Sequence, residues 1–294
     1  MRLLQRFFRG PWLSQARRGA TILRWTLRVA LILLIIDLFY LAVTWPDWRK
    51  LASGPVPKSR FIQEYEREAA AQRDRPGLRW QPVALQAIPK YMVRAVIVAE
   101  DSRFYEHSGF DLIAFREAMQ YNWKEGRLAL GASTISQQTA KNLFLSSAKN
   151  PIRKWHELVL TWGMERNLSK RRIMEIYLND AEFGVGIYGV QAAARFYWGV
   201  DVGQLTPQQA AELAATLPSP LKHNPATRTE QFDKRMRKIL NVLTRYPGDA
   251  AEALAAHEID LESPGEPLTP QEMERFREDP PARASPAPLI RDTL

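Results

Sequence analysis

Residues Glu100–Gly109 form the stretch whose residue types best suit acid–base chemistry. The segment reads E-D-S-R-F-Y-E-H-S-G, so two adjacent carboxylates precede an arginine, an aromatic pair and a histidine. Residues 93–99 before it are apolar except for Arg94, which places Glu100 at the edge of a buried element. Partial loss of water raises the pKa of a carboxylate toward the range useful to a general base. Acid pairs in this position are also typical of helix ends and salt bridges, so the motif alone does not distinguish a catalytic carboxylate from a structural one.

A second polar cluster lies in residues 131–142, which read G-A-S-T-I-S-Q-Q-T-A-K-N and predict a glycine-bearing loop entering a helix. Thr134 and Gln137 have the spacing of a capping box. The polar residues that share an arc of about 100° on this helix are Thr134, Gln137, Gln138 and Lys141. Such a face suits a sugar or phosphate, because it combines hydrogen-bonding groups with a fixed positive charge. A solvated helix face explains it equally well.

The next helix is predicted to begin at Asn150-Pro151, with asparagine as its cap. A stripe at helical spacing is expected to face the core; its members are Trp155, Leu158, Val159 and Trp162. Arg153 and Glu157 then project on the opposite side, flanked by Lys154. Cations at a helix N-terminus oppose its dipole, which an anion-binding site would tolerate. An exposed Arg153–Glu157 ion pair is the simpler alternative, although basic-before-acidic is the weaker orientation.

Composition limits the possible function classes. The 294-residue chain is 46% hydrophobic, enough for one sizeable core, and carries a net charge of +9. Seven arginines precede the first acidic residue, Asp37, and the remainder holds 34 basic against 32 acidic residues. A nucleic-acid partner is therefore not expected outside the N-terminal arm. The absence of cysteine excludes disulfides and thiolate–metal sites.

Residues 29–45 are apolar apart from Asp37. As a helix they reach about 25 Å, the short end of a membrane span. A cleaved signal peptide is disfavoured, because Trp45-Pro46-Asp47-Trp48 follows where small residues would mark cleavage. A retained anchor with its arginine-rich N-terminus in the cytoplasm is expected.

The rest of the chain is expected to be mainly helical. The predicted domains are a cytoplasmic basic arm at 1–28, a transmembrane helix at 29–45, a juxtamembrane linker at 46–80, a helical catalytic domain at 81–250 and a mostly disordered extension at 251–294. Within the linker, residues around Phe61–Gln72 are expected to be helical, and Phe183–Gly186 is expected to be flexible.

The motifs, taken in order, resemble the five signatures of glycosyltransferase family 51. They are E-D-S-R-F-Y-E-H-S-G-F-D, G-A-S-T-I-S-Q-Q-T-A-K-N-L-F, R-K-W-H-E, K-R-R-I-M-E-I-Y-L-N and A-A-E-L-A-A-T-L-P-S-P. The resemblance covers roughly residues 80–225 and is highly specific. With an N-terminal anchor and no second catalytic domain, the chain is similar to the monofunctional biosynthetic peptidoglycan glycosyltransferases of Gram-negative bacteria. Ser136 stands where threonine also occurs, and the proline-rich tail departs from the family pattern.

This resemblance implies a mainly α, lysozyme-like glycosyltransferase domain with a smaller membrane-proximal jaw, preceded by one transmembrane helix. It implies polymerisation of lipid II into β-1,4 glycan strands, with inversion and release of undecaprenyl diphosphate. The implied location is the inner membrane, with a single pass, a cytoplasmic N-terminus and a periplasmic catalytic domain. Asp37 would hydrogen-bond another transmembrane helix, in a second copy or in a cell-wall synthesis or division protein, or else remain protonated.

The resemblance also assigns roles by position. Glu100 matches the general base that takes the proton of the acceptor 4-hydroxyl, and Glu157 matches a second essential carboxylate of less defined role. The cations that match the diphosphate-binding residues are Lys141, Arg153 and Lys154. The other expected substrate-binding residues are Asp101, Phe104, His107, Ser133, Thr134, Gln137, Gln138 and Asn142. No cofactor or protein metal site is required, although a divalent cation (Mg or Mn) at the diphosphate stays open.

Four alternatives are less compatible with the sequence. A lytic transglycosylase or muramidase needs no diphosphate-binding cations. Ser146–Lys149 matches the S-x-x-K of penicillin-sensitive transpeptidases, but no K-T-G follows. A metalloprotease motif that begins at His156-Glu157 would need a second histidine at position 160, where the chain has Leu160. The intact motifs disfavour a non-enzymatic membrane adaptor.

Overall fold

The computed structural model describes residues 11–127, 131–147 and 151–245, and the described part is mainly helical as expected. The predicted Asn150 cap and the extension at 251–294 lie outside these residues. The chain divides into two compact units, residues 1–47 and 48–294. In the first, helix α1 spans Pro11–Val43, and its segment Thr21–Val43 has a mean hydropathy of 2.3 and is long enough to cross a membrane. This segment begins earlier than the predicted residue 29, so it includes Arg24 and Arg28.

The second unit contains the predicted catalytic residues. Its first elements are α2 (Trp48–Ser53), α3 (Arg60–Ala71), β1 (Arg79–Trp80), a 3₁₀ turn (Leu85–Ala87), α4 (Lys90–Glu100), α5 (Leu112–Glu125), α6 (Ile135–Phe144) and α7 (Pro151–Asn167). They are followed by α8 (Lys170–Asp180), β2 (Glu182–Gly184), β3 (Ile187–Tyr188), α9 (Val190–Trp198), a 3₁₀ turn (Val202–Gln204), α10 (Pro207–Thr216) and α11 (Glu230–Arg245).

Side-chain caps fix where many of these helices begin. A residue before the helix accepts a hydrogen bond from a backbone N–H of the first turn, which would otherwise lack a partner. The caps are Ser59 for α3, Asp111 for α5, Thr134 for α6, Ser169 for α8 and Thr206 for α10. The capping box predicted at Thr134 and Gln137 is confirmed.

Helix packing in the second unit sets the positions of the site elements. Helix α10 packs against both α4 and α11, and α6 packs against α7 and α8. Buried side chains from these helices form one core, including Ile97, Ile135, Met174, Leu213 and Phe232. The C-terminus of α4 is thereby held next to α11, and α6 is enclosed by its neighbours.

Residues 182–188 form part of a small sheet, so the flexible segment predicted at 183–186 is wrong. Strand β3 pairs parallel with β1 and antiparallel with β2. Phe183 has no exposed surface, and Gly186 has φ +72, a conformation that favours glycine. A Cβ at Gly186 would lie only 2.5 Å from the Tyr65 hydroxyl. The glycine therefore permits close packing in a turn.

Helix α3, which falls inside the predicted linker, packs against other helices of the second unit. Ile62 and Tyr65 are buried, and α3 lies against α6. Arg60 donates a hydrogen bond to the Phe144 carbonyl at 3.5 Å, and a Glu64 oxygen accepts one from the Ser147 N–H at 3.1 Å.

Helix α7 buries the face opposite to the one predicted. Trp155 and Trp162 are 44% and 51% exposed and line an apolar surface pocket of about 410 Å³; the full lining is Phe110, Trp155, Leu158, Val159 and Trp162. Leu160 and Met164 belong to the core instead, on the same side as Glu157. The helix has apolar residues on both faces, and the prediction considered only one of them.

Candidate active site

Glu100 is the last residue of α4, and its side chain is 10% exposed. Its Oε1 accepts a hydrogen bond from Arg235 Nη2 at 2.9 Å, and its Oε2 accepts one from Gln138 Nε2 at 2.8 Å. Burial raises the pKa of Glu100, while Arg235 and Gln138 oppose that rise by favouring the charged form. The result is a buried carboxylate that two hydrogen bonds hold in one orientation.

Tyr177 fixes the orientation of the Gln138 amide. The Tyr177 hydroxyl donates to Gln138 Oε1 at 3.3 Å, so the amide nitrogen of Gln138 points to Glu100. Tyr177 is buried in α8, and burial raises its pKa, which keeps the hydroxyl protonated. A hydrogen-bonded chain therefore links α8, α6 and the end of α4.

Asp101 joins the loop after α4 to the start of α6. One of its oxygens lies 2.9 Å from His107 Nε2, and the other accepts a hydrogen bond from the Ile135 N–H at 2.9 Å. His107 Nδ1 accepts a hydrogen bond from the Gly109 N–H at 3.1 Å, so the ring proton must be on Nε2. Both residues are occupied with protein groups, and substrate binding by them stays a prediction.

Asp101, His107 and Asp111 satisfy the distance requirement of a metal site, because one ligand atom from each lies within 4.8 Å of the others. Asp111 accepts hydrogen bonds from Arg103 Nε at 2.8 Å and Nη2 at 3.1 Å. It also accepts one from the Ala114 N–H as the cap of α5. The three side chains are thus bonded to protein groups, and a metal ion would have to compete with these hydrogen bonds.

Several predicted substrate-binding residues are buried and contact other protein groups. Phe104 has no exposed surface, and Lys170 Nζ lies 4.4 Å from its ring centroid. The Thr134 hydroxyl donates to the Gly109 carbonyl at 2.7 Å, and Gln137 Oε1 accepts from the Thr134 N–H. Among Phe104, Ser133, Thr134 and Gln137, only Ser133 is exposed, and it lies in the loop before α6.

Lys141 lies one helical turn after Gln138 on α6, so it shares the face that approaches Glu100. It is half-buried, and burial is the main cause that lowers its pKa, with Arg153 and Lys154 acting in the same direction. The Lys141 ammonium is 5.7 Å from the Phe61 ring centroid. Within residues 11–127, 131–147 and 151–245, no carboxylate is within ion-pair distance of it.

Helix α7 contributes the remaining charged residues. Lys154 Nζ pairs with Glu157 Oε1 at 2.5 Å; the lysine side chain is 54% exposed and the glutamate is buried. Arg153 is half-buried in the same turn. The charges of Glu157, Arg153 and Lys154 all act on Lys141, so the structure brings the predicted cations and the second carboxylate into one group.

Asn142 faces a buried carboxylate at the end of α8. Asp180 is 1% exposed, and neither oxygen has a hydrogen bond of normal geometry within the described part of the chain. Burial raises the pKa of Asp180 to about 6, opposed by Ser59, Asn142 and Lys141. Asn142, the residue after Lys141 on α6, therefore lies near the Asp180 carboxylate at the end of α8.

Comparison with known proteins identifies the family. Residues 68–244, more than half of the chain, match the family model described as Transglycosylase. The chain belongs to the transglycosylase family. A relative from Methylobacillus flagellatus named biosynthetic peptidoglycan transglycosylase is 45% identical over 180 residues, which are 60% of this chain and 78% of the relative. One of the same name from Nitrosomonas europaea is 42% identical over 246 residues, covering 80% and 97%.

The residue of this transglycosylase that the sequence analysis missed is Arg235, which contacts Glu100 from α11 across 135 positions of sequence. The sequence does contain a pattern that could have indicated Arg235. Phe232, Met236, Ile239 and Leu243 form the buried stripe of α11. Arg235 lies three residues after Phe232 and four before Ile239, so it is on the edge of that stripe and points toward the interior.

Proposed function

We propose that the chain polymerises lipid II into the β-1,4 glycan strands of peptidoglycan, with Glu100 as the general base. The observation that carries this proposal is the placement of two groups on α6. Gln138 bonds the buried Glu100 carboxylate, and one turn later Lys141 presents a cation that no described carboxylate pairs with. A transfer from a diphosphate donor requires a base and an anion-binding group side by side.

In the proposed step, Glu100 accepts the proton of the acceptor 4-hydroxyl. The acceptor oxygen forms a bond to C1 of the donor sugar, and the C1–O bond to the diphosphate breaks. Because the oxygen attacks opposite the leaving group, an α-linked donor gives a β-linked product. The leaving undecaprenyl diphosphate takes the bonding electrons. The raised pKa of Glu100 favours proton acceptance at this position.

Lys141, Arg153 and Lys154 would bind the diphosphate and stabilise the negative charge that develops on it. Fixed cations in a partly water-excluded site are effective in this role, because they need no reorganisation during the reaction. Glu157 holds Lys154 in place from the buried side of α7. A divalent ion, Mg or Mn, would add further positive charge at the diphosphate, and its involvement remains a prediction.

The membrane segment fits the proposed substrate, which carries a polyprenyl chain. Thr21–Val43 would anchor the protein in the inner membrane, with arginines of the arm on the cytoplasmic side and the second unit in the periplasm. Asp37 would bond a second copy or a cell-wall synthesis or division protein. Asp37→Leu should then lose crosslinking to that partner while retaining turnover, and unchanged crosslinking would contradict the idea.

The function is tested by giving the full-length protein in detergent labelled lipid II and, separately, finished glycan. We expect polymer from lipid II and no cleavage of finished glycan. A muramidase should digest the polymer, which verifies β-1,4 linkage. Release of fragments from finished glycan, with no polymer from lipid II, would favour the lytic alternative. Parallel reactions with Mg²⁺, Mn²⁺ or a chelator test the divalent ion.

A further inference from the structure

The Arg235 guanidinium connects α11 to the end of α4 through a single nitrogen. Arg235 Nη2 donates to the Ala99 carbonyl at 2.7 Å and to Glu100 Oε1 at 2.9 Å. One contact is with the backbone immediately before the proposed base, and the other is with its carboxylate. Arg235 therefore constrains both the position from which the Glu100 side chain projects and the direction in which it points.

The backbone contact has a clear physical basis. The last carbonyls of a helix have no intrahelical partner, and the helix dipole makes this end partially negative. Ala99 is in the last turn of α4, which ends at Glu100. A guanidinium at this place satisfies an orphan carbonyl. Its positive charge also interacts favourably with the negative end of the helix dipole. It also holds the helix end against α11, which packs on α4.

The two partners of Glu100 differ in charge. Gln138 and Arg235 each bond one carboxylate oxygen, from α6 and α11 respectively. Gln138 is neutral, so it can orient Glu100 whether or not the carboxylate is ionised. Arg235 also supplies a positive charge, which selectively stabilises the ionised form. Its side chain is 36% exposed, so filling space in the core is not its main role.

We propose that Arg235 is a positioning residue for Glu100, which it orients at the α4 terminus and keeps ionised over the working pH range of the enzyme. This inference rests on the proposed role of Glu100 as general base. Arg235 lies beyond the residues that the sequence motifs single out, and the sequence analysis assigns it no role.

The charged and titratable groups that act on Glu100 come from each neighbouring element. Arg235 on α11 lowers the pKa of Glu100, whereas Asp101, the next residue, raises it. Tyr177 on α8 is buried near Glu100 and is neutral, because burial raises its own pKa. Without Arg235, burial and Asp101 would both act to raise the pKa of Glu100, and only the Gln138 hydrogen bond would oppose them.

The kinetic test compares kcat/KM across pH for the parent, Arg235→Gln, Arg235→Lys and Arg237→Gln. Arg237 is exposed on the same helix and is the matched control. We expect Arg235→Gln to move the acidic limb to higher pH, so that its loss of kcat/KM is at least about tenfold greater at the acidic end, which corresponds to one pKa unit. Arg235→Lys retains the positive charge, so the pH of its acidic limb should stay close to that of the parent. Arg237→Gln should behave as the parent.

A second measurement does not depend on activity. Because the folded-state pKa of Glu100 is raised, its ionisation reduces stability as pH increases from the ordinary carboxyl range to the folded pKa. Removing Arg235 would raise the folded-state pKa of Glu100 further, so this pH range would extend to higher pH. Arg235→Gln should therefore lower the Tm more at pH 8 than at pH 5, and the extra loss at pH 8 should vanish in a Glu100→Gln background.

The outcomes separate the two proposals. An unmoved acidic limb, together with a Tm loss that is the same in both backgrounds, would overturn the positioning role and leave Arg235 as a backbone cap. If the parent fails to polymerise lipid II but the pH-dependent Tm coupling is present, the proposed function fails while the Arg235–Glu100 pairing stands.

Discussion

The surroundings of Glu100 and of Lys141 differ in how completely the protein itself satisfies a buried charge. Glu100 has a protein hydrogen bond on each carboxylate oxygen, one of them from a cation. Lys141 has an aromatic ring at 5.7 Å, and within the described residues no carboxylate pairs with it. Helix α6 connects the two sites, because Gln138, which bonds Glu100, lies one turn before Lys141.

The difference corresponds to two kinds of chemical task. A general base must meet a proton in one geometry, so it benefits from an orientation fixed before substrate arrives. A group that binds a diphosphate must retain its donors for the ligand, and it remains partly desolvated without one. The lowered pKa of Lys141 is the electrostatic sign of this state. Four measurements test the contrast, in decreasing order of expected effect.

Glu100→Gln should have the largest effect. The amide keeps the shape of the side chain but cannot accept the proton, so polymerisation of lipid II should fall by about 10²-fold or more. Gel analysis of labelled strands measures the rate, and circular dichroism checks the fold. Strand synthesis at the parental rate would remove Glu100 from the mechanism and end the contrast between the two sites.

Lys141→Met should reduce the rate by about 10²-fold, the usual effect of removing one preorganised electrostatic group. Stability should behave differently from activity. The lost charge is partly desolvated and has no described ion pair, so the Tm should stay constant or rise. Lys141→Arg retains the charge and is the matched control. A large fall in Tm for the methionine variant would show that Lys141 is mainly structural.

The pH dependence of kcat/KM should report the raised pKa of Glu100. Because a base works only when deprotonated, activity should fall about tenfold per pH unit below that pKa. The midpoint of this fall in kcat/KM should lie above pH 4.5, the ordinary pKa of a glutamate. Melting curves over the same range ensure that loss of fold is not the cause. A limb centred at or below 4.5 would contradict desolvation as the dominant influence.

Lys154→Ala should have the smallest effect of the four, a loss of a few-fold in rate. Lys154 is 54% exposed and already pairs with Glu157, and exposed charges are weakened by solvent. Lys124→Ala, at an exposed lysine in the last turn of α5, is the control. A loss that matches the control would remove Lys154 from the diphosphate site, and a loss equal to that of Lys141→Met would contradict the ranking.

Local signals in the sequence predicted local structure well. The Thr134–Gln137 capping box and the helix beginning near Phe61 depend on short-range spacing, and both are present. The motif residues on α6 and α7 were also predicted as one group. How each acts in the reaction stays a prediction, because hydrogen bonds and burial locate a side chain without demonstrating its role.

Predictions that required tertiary information failed. Helical spacing found the Trp155–Trp162 stripe but could not decide which of two apolar faces of α7 enters the core. Glycines at 184 and 186 suggested flexibility, yet the Tyr65 hydroxyl that makes Gly186 necessary comes from more than a hundred positions earlier. Arg235 was missed for the same reason, because its partner Glu100 is distant in sequence.

The packing of α3 has a practical consequence for expression of the enzyme. The family match begins at residue 68, inside α3, so trimming the gene there would preserve every motif residue. Such a fragment would lack the Phe61 ring beside Lys141, the buried Ile62 and the Arg60 bond to the end of α6. A fragment that retains the whole second unit but lacks the candidate membrane helix should therefore begin at Trp48.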